Sequence, residues 1–181
     1  MFYAKKQTVI DYKNRGYQLG NLYTVIDMAA FNPFTRMERE RGYQTGCFVH
    51  SVNLFENTPE EIYADLSPYL CLVESSSFNL NEDALNYLHK IEKTRNAVIW
   101  IWSGCSLIEL QEHLQYFLNS KLRNGREVLF RFYHPRVMPA FFNILQEHQA
   151  ERFWNKINRC MFWDARIEQY QLYERTKNEK E

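Results

Sequence analysis

The run from Gly125 to Phe142, GREVLFRFYHPRVMPAFF, constrains the fold more than any other part of the chain. Within it, Val128-Leu129-Phe130-Arg131-Phe132-Tyr133 reads as a strand whose successive side chains point to opposite faces. Val128, Phe130 and Phe132 share one face, while Leu129, Arg131 and Tyr133 share the other. Apolar and aromatic residues on both faces predict burial on both, yet the Arg131 guanidinium stays charged at any ordinary pH. It requires a carboxylate or several carbonyls, because an unpaired buried charge costs several kcal/mol. Pro135 then ends the strand, since it has no amide to donate and confines His134 to extended geometry.

At 181 residues the chain suits one domain, or one domain with a small appendage. Lys+Arg and Asp+Glu are equal at 22 each, so no basic footprint recommends nucleic acid or an anionic membrane. Aromatics make up 16%, which predicts a core rich in Phe and Tyr, with a remainder available to a protein-binding surface. Cys47, Cys71, Cys105 and Cys160 are far apart and form no CxxC pair. The opening MFYAKKQTVIDYK has no apolar core of a signal peptide, and no run reaches the ~20 apolar residues of a membrane span. Reduced, buried thiols in a cytoplasmic protein are expected, without a disulfide framework.

Strand and helix signals alternate, which favours a layered α/β sheet of about four or five strands flanked by helices. Residues 3–15 suit a short amphipathic helix with Val9, Ile10 and Tyr12 inward and Gly16 as its stop. Leu22–Ile26 reads as a strand ending at Asp27, and Pro33 opens a helix that runs to Arg41 and stops at Gly42. Cys47–Phe55 is extended and irregular, and Thr58-Pro59-Glu60-Glu61 starts a short helix. Tyr69–Glu74 is a second strand, and Asn81 caps a helix with Ala84, Leu85, Leu88 and Ile91 on one face. Ala97–Trp102 is a third strand, covered on both faces. Ser106 and Glu109 form a capping box for a helix with Leu107, Leu110, Leu114 and Phe117 inward. Asn124-Gly125 marks a turn that pairs Lys121–Arg123 with the strand after it. Three parts are expected: an α/β lobe over 1–138, a smaller helical and β-hairpin lobe over 139–175, and a charged tail over 176–181. The hairpin would turn about Asp164-Ala165, between Cys160–Trp163 and Arg166–Tyr173.

Catalytic signals are sparse. His50, His89, His113, His134 and His148 sit apart, none in HExxH, and read as surface or helix-end residues rather than metal ligands. Gly104 follows the third strand without a phosphate-binding glycine motif around it. The best enzymatic arrangement is Cys105, just before a helix N-terminus, with His134 as its base. No nucleophile elbow supports it. No cofactor or metal is called for. Asp27, Glu74, Arg131 and Arg136 stand out as a charged constellation, with Asp27 and Glu74 ending two strands. Convergence at one sheet edge would make a structural ion-pair cluster of Asp27, Glu74 and Arg131, or a polar pocket for a partner's loop.

Four blocks in register resemble the type VI secretion effector chaperones, also called adaptors (Tap- or Tec-like), over roughly residues 20–155. FRFYHPRV at 130–137 is similar to that family's Phe-Arg-Phe-Tyr-Asp-Pro-Arg-Val signature, with His134 in the aspartate's place. Leu22-Tyr23-Thr24-Val25-Ile26-Asp27 resembles its opening strand. Leu54-Phe55-Glu56-Asn57-Thr58-Pro59-Glu60-Glu61 with Leu66-Ser67-Pro68-Tyr69-Leu70 resembles its middle block. Ser106-Leu107-Ile108-Glu109-Leu110 with His113-Leu114 resembles the helix before the signature. Ile99-Trp100-Ile101-Trp102-Ser103 departs from the family by its bulk. The resemblance implies a non-catalytic, cytoplasmic bacterial protein that binds one toxic effector and helps load it onto the VgrG spike or its PAAR tip. Partner contacts are then expected at Tyr133, His134, Arg136, Phe142, Phe153, Trp154, Tyr170 and Tyr173. Phe141 fits the core stripe of its helix better than Phe142, which leaves Phe142 for a partner. Two other readings stay open: an immunity-type protein that neutralises a toxin, and a small hydrolase using Cys105 and His134.

Overall fold

A computed structural model describes residues 2–4, 20–121 and 124–174. Seven strands form the main sheet: β1 (Phe2–Ala4), β2 (Asn21–Ile26), β3 (Ser51–Asn53), β4 (Tyr69–Glu74), β5 (Val98–Ser103), β8 (Arg159–Asp164) and β9 (Gln169–Glu174). Their spatial order is β1-β9-β8-β5-β2-β4-β3, and every pairing is antiparallel. A separate two-stranded ribbon joins β6 (Asn119–Lys121) to β7 (Glu127–Leu129). Five α-helices accompany them: α1 (Thr35–Gln44), α2 (Glu82–Arg95), α3 (Leu107–Gln115), α4 (Met138–Ile144) and α5 (Glu147–Lys156).

The layering is as the sequence predicts. The strand directions follow from one connection: α2 carries the chain from β4 to β5, which flank β2 on its two sides and both run against it. This is a split β-α-β unit, with an opposed strand inserted between the two that the helix joins. The centre of the sheet is covered on both faces. In β5, Val98, Trp100 and Trp102 enter the core beneath α2, while Ile99 and Ile101 enter the core beneath α3. All six residues of β5 are buried.

Local chemistry sets several helix ends. The Asn81 side chain accepts the Ala84 amide at 2.8 Å, and Asn96 closes α2 in the left-handed conformation. Ser106 and Glu109 make both halves of the capping box that opens α3. Thr58 caps the short helix expected there, which is of 3-10 type over Pro59–Leu66. Gly42 does not stop α1 but lies within it. A Cβ there would sit 2.5 Å from the Phe48 ring, so glycine is what lets that ring approach the helix. Pro33 precedes α1 through a cis peptide bond instead of forming its first turn.

Two larger expectations change. The hairpin of β8 and β9 exists but does not form a lobe of its own: β8 pairs with β5 from Ile99↔Phe162 to Trp102↔Arg159 and extends the main sheet. Phe2–Ala4 pairs with β9 as a strand, against a helix beginning at residue 3. The rest of that helix and the tail over 176–181 lie outside the described residues.

The signature stretch departs furthest from its reading. Only Glu127–Leu129 is extended, and it belongs to the small ribbon. The Phe130 amide donates to the Leu118 carbonyl, and Phe132 then folds back to donate to the Phe130 carbonyl at 2.8 Å. Aromatic packing explains the early stop. Phe132 is drawn into a cluster with Phe117, Phe141 and Phe153, at ring separations of 6.2, 5.4 and 6.4 Å. The chain is in a turn before Pro135 is reached.

Candidate functional site

β2 leads directly to the centre of the signature. Past Ile26, the Asp27 amide donates to the Ala97 carbonyl at 2.8 Å, which fixes the residue at the sheet's end. The carboxylate is fully buried and uses its two oxygens differently. Oδ1 accepts the Ala29 amide at 3.1 Å and so caps the 3-10 turn Met28–Phe31. Oδ2 accepts from Arg131 Nη2 at 2.5 Å, across 104 residues of chain. The required partner of Arg131 is therefore Asp27, and the pair ties the signature turn to the end of β2. Arg131 is not itself enclosed, because 39% of its side chain is exposed.

Glu74 is not part of this group. It pairs with Leu22 at the start of β2, whereas Asp27 follows the end of β2. Antiparallel pairing puts their carboxylates at opposite ends of the sheet, about 15 Å apart along the strand. The ion-pair cluster of Asp27, Glu74 and Arg131 thus reduces to a pair. The same geometry separates Cys105 from His134. Cys105 follows β5 at the end where Ser103 pairs with Asn21, while His134 lies beside Asp27. No Cys105–His134 dyad forms. The Cys105 carbonyl accepts from the Tyr23 hydroxyl at 2.6 Å, and its amide donates to Ser103 Oγ at 3.1 Å.

His134 organises the turn. Its Nδ1 accepts the Arg136 amide at 3.1 Å, as an aspartate side chain would in an Asx turn. That bond leaves the proton on Nε2, which lies 4.0 Å from Asp27 Oδ2. Burial lowers the imidazole's pKa, and Arg131 and Arg136 act in the same direction, against the opposing pull of Asp27. The His134 carbonyl accepts the amides of Val137 at 2.8 Å and Met138 at 3.1 Å, so the turn runs straight into α4. Tyr133 is buried beneath it, and burial together with the Asp27 charge raises its phenol's pKa. Arg136 is exposed.

The aromatic residues divide into two groups. Tyr133, Phe153 and Tyr170 are core residues, at 1%, 0% and 5% exposure, and leave no face for a partner. Phe153 sits inside the Phe117–Phe132–Phe141 cluster, and the Tyr170 hydroxyl is turned inward to Glu92. Phe142, Trp154 and Tyr173 are half-buried and form a row of parallel rings. Phe142 stacks on Tyr173 at 4.4 Å and on Trp154 at 5.3 Å. As its helical phase predicts, Phe141 is buried at 2% and Phe142 flanks it.

Two buried polar groups escaped the sequence reading. Glu92 accepts from Trp100 Nε1 at 2.6 Å and from the Tyr170 hydroxyl at 2.7 Å, with no exposure at all. His113 lies in the last turn of α3, as a helix-end residue, but is buried there, with its Nε2 3.0 Å from the Phe153 carbonyl. Both follow the apolar stripe of their helices: Glu92 is four residues after Leu88, and His113 three after Leu110. Among the described residues no three His, Cys, Asp or Glu side chains are grouped to hold a metal ion, and no helix is long and apolar enough to cross a membrane.

The fold is of the mixed α/β class, an antiparallel sheet with helices and with the signature turn pinned to β2. Within that class, the family model of a domain of unknown function (DUF4123) matches residues 22–152, so the chain belongs to that family. No curated protein and no solved structure matches it.

Proposed function

We propose that the chain is a non-catalytic adaptor of type VI secretion. It binds one toxic effector in the producing cell and helps load it onto the VgrG spike or its PAAR tip. The observation that carries this reading is the family match over residues 22–152, which encloses the FRFYHPRV signature and the Asp27 that holds it. The row of Trp154, Phe142 and Tyr173 supports it as a partner surface. Partly exposed stacked aromatics offer contact area at small entropic cost, as protein-binding surfaces do.

The test is a pull-down of the tagged chain from native lysate, with copurifying proteins identified by mass spectrometry. A large toxin, with or without a VgrG or PAAR protein, is the expected catch. Its absence while the secretion system is expressed overturns the reading. Phe142→Asp is expected to weaken that capture by about tenfold or more while the fold persists. Capture at the wild-type level would remove the ring row from the surface. Protection of cells from the toxin, without a role in delivery, would assign the chain to the immunity class instead.

A further inference from the structure

The signature turn keeps its acids inside and its cations outside. Asp27 and Glu60, the carboxylates whose charges reach Tyr133, are both buried. Arg131 has 39% of its side chain exposed, and Arg136 is exposed with no ion pair among the described residues. Asp27 engages Arg131 through Nη2 and the Tyr133 side chain also interacts with the guanidinium, while the Nε–H is buried without an acceptor. That Nε–H faces inward, so it is the solvent-exposed part of the guanidinium that can receive an acceptor from outside. The backbone that carries both arginines is already fixed. His134 donates its amide to the Arg131 carbonyl at 3.0 Å, and the Arg136 amide is held by His134 Nδ1.

We propose that this turn is a docking point for an acidic side chain, an Asp or Glu of the partner protein, received by the exposed donors of Arg131 and Arg136. The proposal rests on the adaptor reading for the existence of that partner. Planar guanidinium groups bind carboxylates in a fork that lysine does not reproduce, and Arg131 is preoriented by Asp27 before the partner arrives. A cationic partner would meet the two arginines before either buried acid. A nucleic acid would need a longer basic stripe than two residues, in a chain whose formal charge is zero.

The experiment uses the protein captured by the wild-type chain, identified and produced separately, with its binding to the full chain measured at low and high salt. Arg136 is exposed, so Arg136→Glu is expected to fold as the wild type does. At low salt it is expected to bind about tenfold or more weakly, with a shallower salt dependence. Arg136→Lys is expected to fall between the two. Changing the partner's docking acid to Arg is expected to recover binding to Arg136→Glu. Binding of Arg136→Glu within about twofold of wild type at low salt would overturn the proposal. Loss of capture on nuclease treatment would overturn it too, because the anion would then be a phosphate. Failure of the wild-type chain to capture any partner falls on the adaptor reading, whereas capture undiminished by Arg136→Glu falls on this proposal alone.

Discussion

Glu92 and Asp27 are both fully buried carboxylates, and they are satisfied in opposite ways. Glu92 accepts from two buried donors, the Trp100 indole and the Tyr170 hydroxyl, with His89 Nδ1 3.5 Å away on its own helix. Asp27 takes one neutral amide and one cation, and that cation reaches the surface. The Glu92 site joins α2 to β5 and β9 from within the core. The Asp27 site joins β2 to a turn that emerges into solvent with two arginines. Burial of an acid is thus no guide to its role. The exposure of what it binds separates an internal brace from a support for recognition.

The strongest way to break this contrast is Glu92→Ala. It strands the Trp100 and Tyr170 donors inside the core, with an expected loss of about 3 kcal/mol in urea denaturation. Arg131→Ala is expected to lose less, about 2 kcal/mol, because solvent already reaches the guanidinium side of the pair and can partly hydrate Asp27. A larger loss for Arg131→Ala than for Glu92→Ala would reverse the assignment of brace and support. Adding Asp27→Asn to Arg131→Ala should return part of the deficit, since the charge left behind is then gone. Tyr170→Phe removes one of the two Glu92 donors and should cost about 1 kcal/mol, without affecting partner capture.

The smallest effect is on pH. Burial holds His113 and His134 below the ordinary histidine range, so the unfolded chain takes up protons that the folded chain refuses. Their contribution to stability is full above the unfolded value of about 6.5 and falls away as pH drops below it. Thermal unfolding at pH 7 and pH 5 should show a lower Tm in acid, with a smaller difference in His134→Asn. An equal difference in that variant would remove His134 from the effect.

Legibility in the sequence followed the range of the interaction. Asn81, Thr58 and the Ser106–Glu109 box act within a few residues, and each was readable from its spacing. β2, β4 and β5 showed themselves as apolar runs, but their directions did not. Those depend on α2 carrying the chain past β2, which no local pattern encodes. Glu74 and Cys105 were misplaced for that reason, since both were set beside residues at the other end of the sheet. The signature failed as a strand because its alternation also suits a turn whose rings enter one aromatic cluster. The need of Arg131 for an acid was legible from its neighbours. That the acid is Asp27 was one of two options, and antiparallel pairing decided between them.

The family block stops at residue 152, whereas β8 and β9 lie wholly beyond it and β1 before it. Three of the seven strands in the main sheet are therefore supplied from outside that block. Cutting the chain back to residues 22–152 would strip β5 of its β8 neighbour and leave that edge, from Ile99 to Trp102, without hydrogen-bond partners. Recombinant work guided by the family limits would then yield an insoluble product from a sound gene. Swapping of homologous segments between relatives should likewise join at or after residue 174, where β9 ends.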